Sequence, residues 1–290
     1  MELVTILDIC IGGLLMGGIY ALIAMGLSLQ YGVARVLNIS HGEFIMVGAF
    51  LTWVLYTTLG INPLIALVIV GPAVFLIGYL LHRTLFRSLL KSSATTAVFE
   101  GNSLLATFGI LYIIQNIAII IWSTSSKGYT FLATPVDLGG AIFSTNRLVT
   151  LGFAVTIGLA FYLFLARTRT GKAIRAAAQD PSAAELMGVD INRVLALCFG
   201  FGALMAGLAG VLYSMCFSIQ TTMGLGFTVI AVIVVVVGGL GSIPGSFIGG
   251  FILGIIGQIV THFEPSLSLA AYYLIFILLL LVRPKGIFGK

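Results

Sequence analysis

Charge is what this sequence has least of. Asp, Glu, Lys and Arg make up 8% of its 290 residues, against 60% hydrophobic ones, where a soluble domain carries about 25% charged residues. So few charges cannot cover a water-soluble protein of this length, and lipid is left as the solvent for much of the exterior. Cysteine is scarce as well. Cys10, Cys198 and Cys216 lie in apolar stretches without CxxC spacing, which argues against a disulfide framework or a thiolate metal site and leaves small packing residues. Alternating segments of about ten residues, the mark of a membrane β-barrel, are missing. No Lys or Arg precedes Arg35, while Glu2 and Asp8 do. A cleaved signal peptide starts with positive charge, so the first apolar stretch reads as a helix that stays. The phosphate-binding GxxxxGK[ST] is absent too. Gly171-Lys172 is followed by Ala173, with Ala166 where the upstream glycine belongs, so ATP is not held by that route. GxSxG, HExxH and a paired intramembrane Asp are also lacking. No catalytic residue and no metal site is therefore expected; His41 and Glu43 are close, but no second His lies in range.

What the chain does have is long apolar runs. A spanning helix needs roughly 20 apolar residues, each adding about 1.5 Å across a ~30 Å core. Nine candidate segments are present, at 5–29, 43–59, 63–82, 102–122, 148–166, 194–217, 226–238, 246–261 and 269–282. The fold class is therefore all-α, a polytopic bundle of 8–9 spans in one transmembrane domain over 1–290. The 43–59 and 226–238 pieces are short enough to be half-helices or broken spans, and eight spans is the alternative count.

The 14 Lys and Arg residues outnumber the 9 Asp and Glu, and their placement reads as topology rather than as a nucleic-acid surface. They cluster in 83–91 (Arg83, Arg87, Lys91), in 167–193 (Arg167, Arg169, Lys172, Arg175, Arg193) and in the tail (Arg283, Lys285, Lys290). The positive-inside rule places all three in the cytoplasm. The 123–147 loop, with only Lys127 and Arg147, and the 262–268 loop suit the outer face. Nine crossings then give an outer N-terminus and a cytoplasmic C-terminus. Many of the 36 glycines sit at small-xxx-small spacing, such as Gly13 and Gly17, Ala206 and Gly210, or Gly250 and Gly254, which suits close helix packing in any polytopic protein.

Three stretches interrupt the apolar pattern. The first runs from Arg35 to Glu43 and gathers Asn38, Ser40, His41 and Glu43 between two apolar segments, with Gly42 able to supply a break. Two readings stay open. It is a turn in which Asn38 or Ser40 caps the next helix, or a broken helix in a transport path, since polar groups at membrane depth are costly unless they line a cavity or are buried in protein. The second is the hydrophilic 167–193 loop. Within it Asp180 reads as an N-cap, Pro181 as the first helical residue and Gly188 as a left-handed terminator of a helix over 181–187. Glu185, Leu186 and Met187 would lie on that helix. It is either a solvated connector or a docking element for another protein. The third is Gly238-Gly239-Leu240-Gly241-Ser242-Ile243-Pro244-Gly245, a hinge or a tight inter-helix turn.

The segment from Gly26 to Glu43 resembles the corresponding part of branched-chain amino acid ABC permeases. So do Thr168 to Ala176 with Leu186-Met187-Gly188-Val189 after it, the block at 238–250, and Arg283 to Gly289. These blocks cover nearly the whole chain in order. The Asn-Ile-Ser-His-Gly form is similar to the shorter of the family's two paralogous permeases; Ser40 and Ser246 stand where alanine is usual. The resemblance implies a permease subunit of an importer with a second permease, two ATPase subunits and an extracytoplasmic binding protein, in a bacterial or archaeal cytoplasmic membrane. ATP would be bound by the partners and no cofactor by this chain. It further implies that 167–193 carries the coupling helix and that 35–43 lines the path. Urea or short amides are alternative cargoes. A proton- or sodium-driven secondary transporter is the alternative mechanism, against which the acidic residues fall mostly in loops or near helix ends.

Overall fold

A chain this apolar satisfies its backbone internally by forming helices, and the computed structural model is almost wholly helical. It describes residues 3–138, 140–283 and 286–289. Glu2, Pro284, Lys285 and Lys290 thus lie outside the described residues. The helices are α1 (Leu3–Ala34), α2 (His41–Leu59), α3 (Pro63–Leu81), α4 (Arg87–Ser92), α5 (Thr96–Trp122), α6 (Thr145–Arg167), α7 (Arg169–Gln179), α8 (Pro181–Leu186), α9 (Ile191–Ser214), α10 (Gly224–Gly238), α11 (Ile243–Phe263) and α12 (Ser268–Val282). A π-helical turn, His82–Phe86, joins α3 to α4.

Among the described residues eight helices are long and apolar enough to cross a membrane. All nine apolar segments are helical. The 43–59 piece belongs to a full 19-residue helix, so the half-helix reading of it is corrected. The 226–238 piece forms α10, at 15 residues only about 22 Å long, short of a ~30 Å core. The outer-loop candidate 123–147 contains a hairpin that periodicity did not reveal, β1 (Pro135–Leu138) paired antiparallel with β2 (Ala141–Ser144). The Gly-Gly pair at 139–140 in the sequence was the available signal, and Gly140 has φ +92°.

Helices α1 and α9 form the centre, and their side chains are mostly buried. Backbone contact, made possible by glycine, holds them. A Cβ on Gly13 would come 2.7 Å from the Ile255 Cα, and one on Gly17 would come 2.7 Å from the Phe251 Cα. From the α11 side, Gly254 abuts the Gly17 backbone and Gly250 the Ala21 backbone. Gly210 on α9 does the same against Ile45 of α2, and Gly207 makes room for the Val74 side chain of α3. The small-residue pairs read from spacing are thus packing pairs. Gly254→Val is expected to destabilise the chain by about 1–3 kcal/mol, the usual cost of overpacking. A fall in the thermal midpoint of the detergent-solubilised protein, against no change for Gly109→Ala, checks it; nothing lies within 4 Å of a Cβ at Gly109.

Helices α5 and α12 sit at the periphery, with Leu105, Ile113, Ile120, Leu274 and Leu281 exposed. Exposed aliphatic side chains on a bundle this apolar are its lipid- or subunit-facing surface.

Candidate functional site

The chain leaves α1 at Arg35, whose φ of 54° is the left-handed turn that ends the helix. Residues 35–40 then turn back along α1, and α2 starts beside the middle of that helix. His41 Nε2 donates to the Ile23 carbonyl at 3.0 Å, about three turns before the end of α1. Gly42 does not supply the break, contrary to the sequence reading. It lies in the first turn of α2, where its missing side chain lets α2 meet the start of α10. A Cβ there would collide with the Gly224 carbonyl oxygen.

Around this junction the polar side chains form a knot inside the chain. Gln30 of α1 donates to the Phe199 carbonyl of α9 at 3.2 Å, and Asn38 Nδ2 donates to Gln30 Oε1 at 3.2 Å. Asn38 Oδ1 accepts from the Ser40 amide at 3.1 Å and from the Ser40 hydroxyl at 2.6 Å. Ser40 occupies the N-cap position of α2 without capping it through its side chain. The Gly42 amide instead donates to Thr228 Oγ1 of α10 at 2.8 Å, and that hydroxyl donates to the Ile39 carbonyl at 2.9 Å. Gln30, Asn38, Ser40, His41, Glu43 and Thr228 are all buried, none more than 3% exposed. Gly202 makes room for the Gln30 amide, and Gly224 makes room for the Glu43 carboxylate.

Two groups in the knot are left over. His41 Nδ1 and both carboxylate oxygens of Glu43 have no hydrogen-bond partner within the chain. Buried polar groups normally find one. Sequence reasoning gathered Asn38, Ser40, His41, Gly42 and Glu43, and the structure brings them together. It missed Gln30, Thr228, Gly202 and Gly224. Gln30, a carboxamide in an otherwise apolar run, was the available signal; a threonine or glycine in such a run gives none.

The second candidate element is the 167–193 loop. It holds two helices where one was expected. Thr168 caps α7 by accepting from the Gly171 amide at 3.1 Å, and α7 folds back beneath α6. Gly171, Ile174 and Ala177 are its buried face, and Arg175 Nη2 donates to the Ala166 carbonyl at 2.9 Å. Asp180 then caps α8, accepting from the Ser182 and Ala183 amides at 2.9 and 3.0 Å. Pro181 opens the helix, and Gly188, with φ +87°, closes it. The Val189 amide donates back to the Ala184 carbonyl at 3.1 Å. Ala184 faces inward while Glu185, Leu186 and Met187 stand out; the last two are 89% and 85% exposed. The six-residue helix is thus capped at both ends and leaves Leu186 and its C-cap residue Met187 in the open.

The block at 238–245 is a tight turn. Gly239 and Gly241 have φ of +101° and +78°, Ser242 caps α11 by accepting from the Gly245 amide at 3.2 Å, and Pro244 sits in the first turn of α11. Gly238 and Gly245 touch backbone to backbone. The chain's final described segment seals the end of α10. The Ile287 and Phe288 amides donate to the carbonyls of Val237 and Gly238 at 2.9 and 3.2 Å. Among the described residues no three His, Cys, Asp or Glu side chains cluster as metal ligands would.

Residues 9–283 match the family described as branched-chain amino acid transport system / permease component. The chain is 29% identical to the high-affinity branched-chain amino acid transport system permease protein BraD of Pseudomonas aeruginosa, over 100% of this chain and 97% of the relative. It is 32% identical to the corresponding protein LivH of Escherichia coli K12, over 96% and 94%. It is 28% identical to a probable branched-chain amino acid transport permease protein LivH of Methanocaldococcus jannaschii, over 96% and 91%. With eight helices among the described residues long and apolar enough to cross a membrane, and a match over nearly its whole length, the chain belongs to the branched-chain amino acid transport permease family and is a multi-pass transport permease of the membrane.

Proposed function

We propose that this chain is one of two permease subunits of an ABC importer for branched-chain amino acids in a bacterial or archaeal inner membrane. A second permease completes the path, two ATPase subunits drive it, and an extracytoplasmic binding protein delivers cargo. The chain itself performs no hydrolysis. The observation that carries the reading is the exposed Leu186–Met187 pair on the capped helix α8. A permease with no P-loop takes in work through a contact, and this is the contact its polar end offers. Asp180, Pro181, Glu185, Leu186, Met187 and Gly188 form it. Full-length similarity to branched-chain amino acid permeases supports the cargo class.

The 35–43 junction is the path-side element in this proposal. Asn38, Ser40, His41, Gly42 and Glu43 sit where the starts of α2 and the short α10 meet. Their unused polar atoms, His41 Nδ1 and the Glu43 oxygens, become available to a zwitterionic cargo when those two helix ends part. The Gly238, Gly239, Gly241, Pro244 and Gly245 turn is the pivot at the other end of α10. Discontinuous helices at transport sites supply the physical precedent.

The test is uptake by the purified complex in proteoliposomes with its binding protein. Labelled leucine, isoleucine or valine should enter and urea should not. Asn38→Leu and His41→Leu are each expected to lower uptake roughly tenfold, the equivalent of one buried hydrogen bond lost. Normal assembly with parental uptake in both variants removes the junction from the path.

Orientation is checked separately by single-cysteine labelling. Met187→Cys, on the exposed end of α8, should react with an impermeant reagent only after the cells are opened. Ala177 is unsuitable for this probe because α7 buries it.

A further inference from the structure

We infer that the cytoplasmic end of α3 carries a headgroup site for an anionic phospholipid, whatever the chain transports. The site is a cavity of about 340 Å³ lined by Tyr79, Arg83, Arg87, Asp190, Asn192 and Arg193. Three arginines against one aspartate leave a net charge of +2. The aspartate is already engaged: Asp190 Oδ1 accepts from the Arg193 amide at 3.0 Å as the N-cap of α9. The arginines are not satisfied in the same way. Arg87 Nε is buried without a hydrogen-bond partner, and the Arg83 guanidinium rests over the Tyr79 ring at 5.7 Å.

The backbone is built to present these residues. The turn from His82 to Phe86 is π-helical, closed by the Arg87 amide donating to the His82 carbonyl. Single π turns are rare and recur at functional sites because they re-aim the side chains after them. Here His82 and Phe86 pack on Phe199 of α9, with ring centroids 5.1 and 4.5 Å apart. That anchor holds one face of the turn against α9 and leaves Arg83 and Arg87 beside the start of that helix.

The occupant is identified by what adjoins the charge. Positions 69, 76 and 80 follow at spacings of seven and four, which places them on one face of α3, and the Arg83 guanidinium over Tyr79 stands at the end of that helix. Leu76 and Leu80 are exposed, as are Val68 and Ile69 farther along α3. An apolar stripe thus runs along the helix and ends at clustered arginines, matching a molecule with an acyl chain and a phosphate. Arginine forks suit phosphate oxygens, basic pockets between helices on the cytoplasmic side hold lipid headgroups, and Tyr79 is placed as interfacial tyrosines are. An acidic segment of a partner protein would match the charge, but the stripe beside it already places acyl chains next to the arginines, so a lipid meets both features at once.

The experiment is native mass spectrometry of the full-length chain purified in neutral detergent together with the subunits that accompany it. Phosphatidylglycerol is added in competition with phosphatidylcholine, and Arg83→Gln/Arg87→Gln/Arg193→Gln is measured beside the parent. The parent should retain phosphatidylglycerol about tenfold more than phosphatidylcholine, and the triple variant should lose that preference. Should the triple variant not fold, the exposed single substitution Arg83→Glu gives the same reading. On the unsubstituted chain, a phosphatidylglycerol carrying a photoreactive acyl chain should crosslink to residues 68–80. Equal retention of the two lipids by the parent overturns the inference, as do crosslinks confined to other helices. So does complete displacement by millimolar inorganic phosphate, which would mark a free-anion site. Loss of a co-purifying ATPase in the variant with lipid preference unchanged would assign the arginines to a protein contact instead.

Discussion

Membranes carrying Leu186→Asp are expected to hold normal amounts of this chain and to lose the ATPase subunit when the complex is purified. Leu186 makes little contact within its own chain, being 89% exposed, so its replacement leaves the fold alone. In the proposed contact it is an apolar anchor, and a few such residues carry most of a small interface, each worth about 2 kcal/mol or more. A carboxylate at that position must be desolvated without a partner and reverses the sign of the contribution. Glu185→Ala, a solvated neighbour on the same helix, should change co-purification and uptake within twofold, because exposed charges contribute little. The measurement is ATPase recovery and leucine uptake from the same preparation. Parental values of both for Leu186→Asp would move the coupling contact to the 83–101 segment.

Gly42→Ala is expected to be the most damaging single-methyl change in the chain. The added Cβ meets the Gly224 carbonyl oxygen and lies 2.6 Å from Thr228 Oγ1. Backbone cannot give way as a flexible side chain can, so α2 and α10 must move apart. The Gly42 amide then loses its 2.8 Å bond to Thr228. Overpacking costs about 1–3 kcal/mol and an orphaned buried amide a similar amount, a large fraction of a typical folding free energy. Gly101→Ala, where nothing lies within 4 Å of the new Cβ, is the matched control and should be neutral, since alanine is the better helix former. Comparing folded yield by fluorescence-detected size exclusion decides it. Recovery of Gly42→Ala equal to that of Gly101→Ala would mean the two helix starts are not in backbone contact.

The elements that could be read from sequence are those whose signal is local. Apolar length gave the helices; Asp180, Pro181 and Gly188 gave α8 with its cap and its stop. These residues act on their immediate neighbours, and the structure finds each in the expected role. The polar junction was legible only in part, because its geometry is set by long-range partners. Asn38 looked like a cap and is instead a link to Gln30. Gly42 looked like a chain break and is a point of close approach to α10, which joins residues 186 positions apart. Helix α7 was missed because its apolar positions, Ile174 and four alanines, are too few and too small to stand out in a basic loop. The α3 pocket was invisible for a different reason. Positive charge at the end of a span reads as topology, and only the π turn and the nearby start of α9 gather it into a cavity.

The hydrogen bonds from Ile287 and Phe288 to the end of α10 bear on how the protein is made. Chains leave the ribosome from the N-terminal end, so α10 emerges with its last carbonyls open and must wait for α11, α12 and the segment after them. Until then the Gly238–Gly245 turn has no lid. Sealing of α10 is therefore tied to translation of residues 287 and 288, and a polypeptide halted after α12 would leave the end of α10 with its last carbonyls open.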